Sequence, residues 1–384
     1  MISLVLFYVL MKLHIQYIGI DNRGILILIQ TSVGITATIV RIGINQAVLH
    51  EITVGKNQKA LANYYLLSLF QMILFLLIVY IFLKFNILVD INYQKNIFAL
   101  LIYLVTYFVY QTLFYFSFYL ISIWKFSIIN ILFNGLNILF ILLFKSLRSL
   151  DGILITIACS QFICSLILSI FLPKIRLVDL NKTTIKSLLS DGLNVFGWSL
   201  FKDLVYKIDI LLFANRISPS EFGVYSVLRD LLYNVWKVTD PIISSLTKAY
   251  VEYNSKIRKF VNYVKIYFIF SLLASPIIVF LIFYYLKFYL KIDVGDTFSK
   301  VYFMFFSFSV LFFVVWKAIA SIYVINKINR PIYISLLVFF LTLITLFNFS
   351  SELNSVFICM SISFLFMTLY LIYSFTKNNL TKST

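Results

Sequence analysis

The chain has 384 residues, of which 62% are hydrophobic and 12% are charged, and it contains 41 Phe and 26 Tyr. A water-soluble domain of this size could not keep so much apolar surface in water, so the composition excludes a soluble protein and predicts a polytopic membrane protein. The net charge of +17 comes from Lys and Arg residues scattered through many short loops, a distribution that argues against nucleic acid as a partner.

Apolar runs predict twelve membrane-spanning helices and hence an all-α fold. They lie at residues 2–13, 24–49, 66–83, 97–120, 126–144, 153–172, 193–214, 224–245, 263–285, 301–325, 331–347 and 355–375. The first run is short, because about 12 helical residues cover only roughly 18 Å of a 30 Å hydrocarbon core. We expect the first helix to be either partial or truncated, with its true start before Met1. A removable signal peptide is a third interpretation, although no small-residue cleavage site follows.

The polar stretch 173–192 divides the twelve runs into two groups of six. We therefore predict an N-terminal six-helix lobe over 1–175, a cytoplasmic inter-lobe linker over 176–192 and a C-terminal six-helix lobe over 193–384. If both termini are inside, sixteen Lys and Arg residues lie in cytoplasmic segments and nine lie in outside loops. The positive-inside rule then predicts that both termini are cytoplasmic.

The two halves show a weak internal repeat at an offset of 199 residues. Residues 18–24 match 217–223 at their ends, and Arg41 falls opposite Asp240. An even number of spans in each half is the arrangement of parallel repeats that are related by an axis along the membrane normal.

The eighth apolar run carries four ionisable residues, Arg229, Asp230, Lys237 and Asp240. At the bilayer centre each costs about 2.5 to 3.5 kcal/mol, so four facing lipid would cost roughly 10 kcal/mol or more. At 100° per residue they fall within an arc of roughly 100°. We predict that this face lines a cavity inside the helix bundle. The alternative is that charges near a helix end snorkel to the interface, which applies to Arg229 and Lys248 more than to the deeper Lys237 and Asp240.

The seventh run is also charged, with Lys202, Asp203, Lys207 and Asp209. Asp203 and Lys207 are four residues apart and are predicted to neutralise each other on one helix face. Lys202 and Asp209 need partners on neighbouring helices, for which the charges of the eighth run are the candidates. A purely structural charge network that fixes helix register is the alternative interpretation.

Arg41 in the second run and Lys317 in the tenth are lone cations in apolar helices, so the embedded bases outnumber the embedded acids. The predicted substrate-path cations are Arg41, Lys202, Lys207, Arg229, Lys237 and Lys317, and the predicted charge-balancing or ion-coupling acids are Asp203, Asp209, Asp230 and Asp240. A net positive cavity favours an anionic substrate, since arginine binds phosphate bidentately and lysine acts as a point charge. No metal or other cofactor is predicted, and H⁺ or Na⁺ is the candidate coupling ion.

Two sequence motifs carry a resemblance to a known family. The stretch ISPSEFGVYS at 217–226 follows a helix that bears Asp209, and the matching stretch YIGIDNRG at 17–24 follows the first helix. With twelve spans in two groups of six, the chain resembles the polysaccharide-exporter flippases. These are the O-antigen repeat-unit translocases of the multidrug/oligosaccharidyl-lipid/polysaccharide (MOP) superfamily.

This resemblance implies a V-shaped pair of six-helix lobes around a central cavity in the bacterial inner membrane. It implies that the chain moves an undecaprenyl-pyrophosphate-linked oligosaccharide from the cytoplasmic to the periplasmic leaflet by alternating access, with cavity cations meeting the pyrophosphate or acidic sugars. Membrane lipids are the other expected partners, together with a glycan polymerase and a chain-length regulator. The short first helix departs from the family and puts any role of that helix as a lipid gate in doubt.

Two other functions stay open. A MATE-like drug or cation antiporter would need an acidic cavity, and the excess of bases argues against it. A membrane glycan polymerase or ligase usually needs one long outer loop, whereas the outer segments 84–96 and 286–300 are short. The sequence also lacks a nucleophile elbow, a His/Cys cluster and a phosphate-binding Gly-rich loop, so we predict that the chain is not an enzyme.

Overall fold

The computed structural model describes residues 2–53, 59–84, 97–172, 180–214, 216–237, 257–291, 300–325, 330–348 and 352–380. Within these ranges the regular structure is entirely helical, which confirms the predicted all-α class. The α-helices are α1 (Ile2–Arg41), α2 (Ile44–Thr53), α3 (Lys59–Lys84), α4 (Ile97–Leu120), α5 (Ile123–Leu143), α6 (Leu150–Phe171), α7 (Lys182–Val205), α8 (Ile208–Phe213), α9 (Pro219–Lys237), α10 (Ile257–Tyr284), α11 (Lys300–Ile325), α12 (Arg330–Phe347) and α13 (Leu353–Leu380). A 3₁₀ turn, Lys145–Leu147, precedes α6, and a π-helix, Tyr285–Leu290, extends α10.

Nine segments of the described chain are long and apolar enough to cross a membrane. The first of them, Val5–Arg41, covers two of the predicted spans, and the others lie on α3 to α6 and α10 to α13. Helices α7 and α9 fall outside this set because they carry the charged residues. Their neighbours expose apolar side chains, as Phe70 and Ile73 do on α3, which suits contact with lipid.

The first helix extends beyond its predicted end at residue 13. It runs from Ile2 to Ile18 and is broken at Gly19, whose φ of 80° and ψ of 169° are not helical. That length is roughly 25 Å, closer to the thickness of the hydrocarbon core than the predicted 12 residues allowed. At the repeat offset of 199 residues, Gly19 falls on Ser218, which lies between α8 and α9. A helix break therefore occurs at equivalent positions of the two halves.

The second predicted span, 24–49, is interrupted between α1 and α2. Ile42 and Gly43 both have positive φ there, 45° and 68°. A Cβ on Gly43 would lie 2.3 Å from the carbonyl oxygen of Gly192, and a Cβ on Gly192 would lie 2.8 Å from that of Ile42. The backbones of α7 and of the α1–α2 turn thus approach too closely for any residue but glycine, and this long-range contact explains a break that local sequence did not predict.

By their contacts the residues form two compact units, Met1–Leu211 and Leu212–Thr384. The predicted lobes over 1–175 and 193–384 stay predictions. In the first unit, Val33, Ala37, Phe75 and Phe108 belong to a core built from α1, α3, α4 and α6. Helix α7 packs on α1, α2 and α3 in this same unit, and its Asp203 contacts α1.

In the second unit, α9 packs against α10, α11 and α13. From Phe222 to Tyr233, α9 is buried at every position except Asp230, which is half-buried. Tyr225 contacts Phe357 of α13 with ring centroids 5.6 Å apart. The eighth predicted span therefore begins as a helix enclosed by protein, and its predicted end at residues 238–245 lies outside the described residues.

Candidate functional site

Three positions on α1 form a stripe that faces α4 and α7. Gly34, Thr38 and Arg41 are spaced four and three residues apart, so they stack on one side of the helix. Gly34 is buried, and Thr38 and Arg41 are half-buried. A charged residue, a hydroxyl and a missing side chain thus share one face inside a core that is otherwise apolar.

An acid from α7 meets this stripe. The Thr38 hydroxyl donates to Asp203 Oδ2 at 2.6 Å, a short distance that is typical of a hydrogen bond to a carboxylate. The same hydroxyl lies 3.0 Å from the carbonyl oxygen of Gly34 on its own helix. Asp203 is therefore held by a neutral residue of another helix.

A base from the turn after α7 lies over the glycine. A Cβ placed on Gly34 would be 2.8 Å from Lys207 Nζ and 3.3 Å from the hydroxyl oxygen of Tyr107 on α4. The Lys207 ammonium and the Tyr107 hydroxyl therefore occupy the space that a side chain at position 34 would fill. Groups from α1, α4 and the turn after α7 therefore meet at Gly34.

Arg41 is the last residue of the stripe on α1. Its Nη2 donates to the carbonyl oxygen of Phe108 at 3.4 Å, and its Cζ lies 5.0 Å from the centre of the Phe108 ring. Gln71 of α3 donates from Nε2 to the Arg41 carbonyl oxygen at 3.2 Å. Arg41 Nε and Gln71 Oε1 are buried without a hydrogen-bond partner among the described residues. The half-buried Arg41 therefore has a buried donor with no partner among the described residues, which is unusual unless water or a ligand accepts from it.

An apolar cavity of about 350 Å³ lies between α3 and α4 in the same unit. Phe108, which supports Arg41, lines it together with Met72, Val109 and Leu113. Leu69, also in the lining, has 57% of its surface exposed. The cavity thus joins the neighbourhood of Arg41 to the apolar surface of α3 and α4.

The second unit holds a separate charged group on α9. Arg229 Nη1 lies 3.6 Å from Asp230 Oδ1, with side-chain exposures of 9% and 18%. The guanidinium carbon of Arg229 lies 4.6 Å from the centre of the Tyr233 ring, one turn further along the helix. Burial of Arg229 contradicts the alternative in which it snorkels to the interface.

Searches with the sequence gave no matching protein-family model and no matching curated protein. Solved structures do match. The inward-facing conformation of a multidrug resistance MATE family transporter of the MOP superfamily aligns with a TM-score of 0.66 and 16% identity, over 98% of this chain and 95% of that one. The fold is that of a MOP superfamily transporter. The outward-facing conformation of a multidrug resistance MATE transporter aligns with a TM-score of 0.61 and 13% identity, over 100% and 94% of the two chains.

A third match to the MOP fold is a MOP superfamily transporter from Pyrococcus furiosus, whose binding pocket of reverse polarity suggests a different function. It aligns with a TM-score of 0.60 and 15% identity, over 100% of this chain and 96% of that one. These matches show that the fold is one found in MOP superfamily transporters, and membership of the superfamily stays a proposal. The structural neighbours are transporters, and the finer assignment to polysaccharide flippases stays a proposal.

The other predicted site residues are placed as follows. Asp209 in α8 is fully buried, and Lys317 of α11 has its Nζ 5.2 Å from the centre of the Phe313 ring. Lys202 and Lys237 lie on described helices, but the placement of their side chains is outside the described part, as is all of Asp240. The predicted network between the seventh and eighth runs stays a prediction. Helix α7 ends at Val205, so Asp203 lies on α7 and Lys207 lies in the turn beyond it. The predicted neutralisation of Asp203 by Lys207 stays a prediction.

The sequence did not predict the neutral residues of the cluster around Arg41, which are Gly34, Thr38 and Tyr107. A single Gly, Thr or Tyr in an apolar run of a Tyr-rich chain does not indicate a functional role. The sequence also did not predict the burial of His14, which has no hydrogen-bond partner for either ring nitrogen among the described residues. The continuing apolar residues up to Ile18 could have shown that His14 lies inside the helix.

Proposed function

We propose that the chain is a membrane transporter that works by alternating access and moves an anionic lipid-linked oligosaccharide. The proposed substrate is an O-antigen or similar surface-glycan repeat unit on undecaprenyl pyrophosphate, carried across the bacterial inner membrane by a protein with cytoplasmic termini. The MOP fold supports the transport part of this proposal. The proposed substrate is supported mainly by two cations of the first unit, Arg41 and Lys207, and by the Arg41 Nε that has no hydrogen-bond partner among the described residues.

Pyrophosphate suits this cluster by charge and geometry. Arginine offers several N–H donors in a planar fork, and Arg41 Nε has no partner among the described residues. Lys207 adds a second positive charge at the end of a flexible chain, above a glycine that leaves room for it to move. A doubly charged phosphate group is held by such a pair more strongly than a neutral sugar is.

The apolar cavity between α3 and α4 suits the lipid part of the same substrate. Because Phe108 both lines this cavity and supports Arg41, a pyrophosphate at Arg41 would have its first prenyl units beside an apolar wall. The rest of the polyprenyl chain stays in the bilayer while the sugars cross. No covalent bond is broken, so a catalytic group is not needed.

The remaining charged residues have proposed supporting roles. Lys202, Arg229, Lys237 and Lys317 extend the positive substrate path, and Asp203, Asp209, Asp230 and Asp240 balance the cations or carry a coupling H⁺ or Na⁺. Asp203 suits coupling best, since its Thr38 hydrogen bond ties its charge to the position of α1. Uptake of a proton or Na⁺ there would change how α7 holds α1.

A drug or cation antiporter is the second candidate, favoured by the structural likeness to multidrug resistance MATE transporters and by Asp203 in the cluster. A cationic drug would meet Arg41 and Lys207 in the same cluster, and like charges repel. We therefore rank this function below the flippase. Unchanged drug susceptibility after deletion of the chain would count against it.

The test is the location of the lipid-linked glycan in cells that depend on this chain. After depletion, we expect undecaprenyl-pyrophosphate-linked repeat units to accumulate in the inner leaflet, inaccessible to a periplasmic enzyme or label. Arg41→Ala should reproduce this, and Lys145→Ala, a matched loss of an exposed cation outside the cluster, should not. Single repeat units displayed outside would instead indicate a polymerase or ligase, and unchanged glycan would overturn the proposal.

A further inference from the structure

A groove of about 480 Å³ lies between the end of α10 with its π-helix and the start of α11, in the second unit. Phe280, Phe283 and Tyr284 line one side, and Met304 lines the other. Lys287 and Lys300 also line it, one from each side. The groove is therefore apolar along its length and has two cations, contributed by different helices.

The backbone of this region is irregular in two ways that favour a groove. Pro276 lies inside α10, where it has no backbone N–H to donate to the preceding turn. The π-helix Tyr285–Leu290 follows and ends at Lys291, which has a φ of 56°. A π-turn widens a helix and is frequent at functional sites. Here it brings Lys287 to the same groove as Tyr284.

Neither lysine is neutralised by an acid of the described chain. Lys287 Nζ lies 5.9 Å from the centre of the Phe288 ring, and Lys300 Nζ lies 5.7 Å from the centre of the Phe283 ring. Both lysines are exposed, and the described residues contain no carboxylate in ion-pair contact with them. Aromatic rings therefore lie within about 6 Å of both ammonium groups, a distance that allows a cation–π interaction.

The surface around the groove is suited to lipid rather than to a soluble partner. Phe280 has 68% of its surface exposed, and Ile277 and Leu281 beside it on α10 are also exposed. An occupant must therefore have an apolar part that lies along these side chains and an anionic part that meets the two lysines. An acidic peptide lacks an apolar part that could lie along these side chains.

We infer that this groove binds an anionic phospholipid, with its phosphate between Lys287 and Lys300 and one acyl chain along Phe280 and Met304. In the predicted topology the lipid belongs to the outer leaflet. The site is separate from the cluster around Arg41, so the inference does not depend on the proposed substrate. Each lysine near a membrane surface attracts anionic lipid headgroups. Two lysines at one groove therefore favour an anionic phospholipid over a zwitterionic one.

The test is lipid retention by the purified full-length protein, measured by native mass spectrometry with phosphatidylglycerol and phosphatidylcholine of identical acyl chains. We expect the wild type to prefer phosphatidylglycerol by on the order of tenfold or more. The double variant Lys287→Gln/Lys300→Gln should lose this preference. Lys291→Gln, which removes one charge from an exposed residue that does not line the groove, should keep it.

A groove-filling variant separates charge from shape. Met304→Trp leaves both lysines in place and should lower retention of phosphatidylglycerol severalfold, because the acyl chain loses its space. Equal retention of the two lipids by the wild type would overturn the inference. So would a Lys291→Gln variant that loses as much preference as the double variant.

Discussion

The two arginines Arg41 and Arg229 lie in different units and have opposite surroundings. Arg229 has its acid beside it in sequence, with Asp230 Oδ1 at 3.6 Å and the Tyr233 ring at 4.6 Å. Arg41 contacts a carbonyl oxygen and an aromatic ring, forms no ion pair with a described carboxylate, and has a buried Nε without a partner. An arginine with a neighbouring acid stabilises a helix, whereas one without is suited to bind an anion.

The acid of the first unit is held differently as well. Asp203 belongs to α7, and its hydrogen bond comes from Thr38 of α1. In the second unit the acid and the base share α9. A movement of α7 relative to α1 would therefore change the first cluster, while the second moves with its helix as one piece. This difference is the reason that the proposed function places substrate binding and coupling in the first unit.

The largest effect on stability is expected for Arg229→Ala. Removing one partner of a buried ion pair breaks its contact with the Asp230 carboxylate, which costs about 3 kcal/mol. Thermal unfolding of the purified protein in detergent should show the loss. The double variant Arg229→Ala/Asp230→Asn should recover a large part of it. Unchanged stability of Arg229→Ala would contradict the view that Arg229, unlike Arg41, has a structural role.

A smaller effect is expected for Thr38→Val, which keeps the shape of the side chain and removes the hydroxyl. The loss of a hydrogen bond to a charged group costs about 1.5 kcal/mol. Transport should fall along with stability, because Asp203 loses the bond that ties α7 to α1. Thr38→Ser keeps the donor and is the control. If Thr38→Val transports as well as Thr38→Ser, the bond has no role in the cycle.

The smallest effect on stability is expected for Gly34→Ala. The methyl group meets the flexible end of Lys207 rather than backbone, so the ammonium can shift, and alanine is a better helix former by about 1 kcal/mol. We expect stability to be kept and transport to fall severalfold, since Lys207 leaves its position. Gly135→Ala, where the added Cβ has nothing within 4 Å, is the matched control. Equal transport rates for Gly34→Ala and Gly135→Ala would show that the position of Lys207 has no role in transport.

The sequence predicted the charged part of these clusters because charge is rare and costly in a membrane helix. Charges inside apolar runs therefore predict Arg41, Asp203 and Lys207 as site residues, and the length of the apolar runs predicts the all-α fold. The break at Ile42–Gly43 was not predicted, because its cause is the approach of Gly192 from a distant helix. The bond between Thr38 and Asp203 joins residues 165 positions apart and depends on the same packing.

The most direct test is translocation by the purified protein in proteoliposomes that contain an undecaprenyl-pyrophosphate-linked oligosaccharide. We expect the wild type to move the lipid between leaflets and Arg41→Ala to be slower by about 10- to 100-fold, the effect of losing a charge-assisted contact with phosphate. Arg41→Lys should keep part of the rate, since it retains the charge but not the planar fork. Translocation by Arg41→Ala at the wild-type rate would contradict the central claim that Arg41 receives the pyrophosphate.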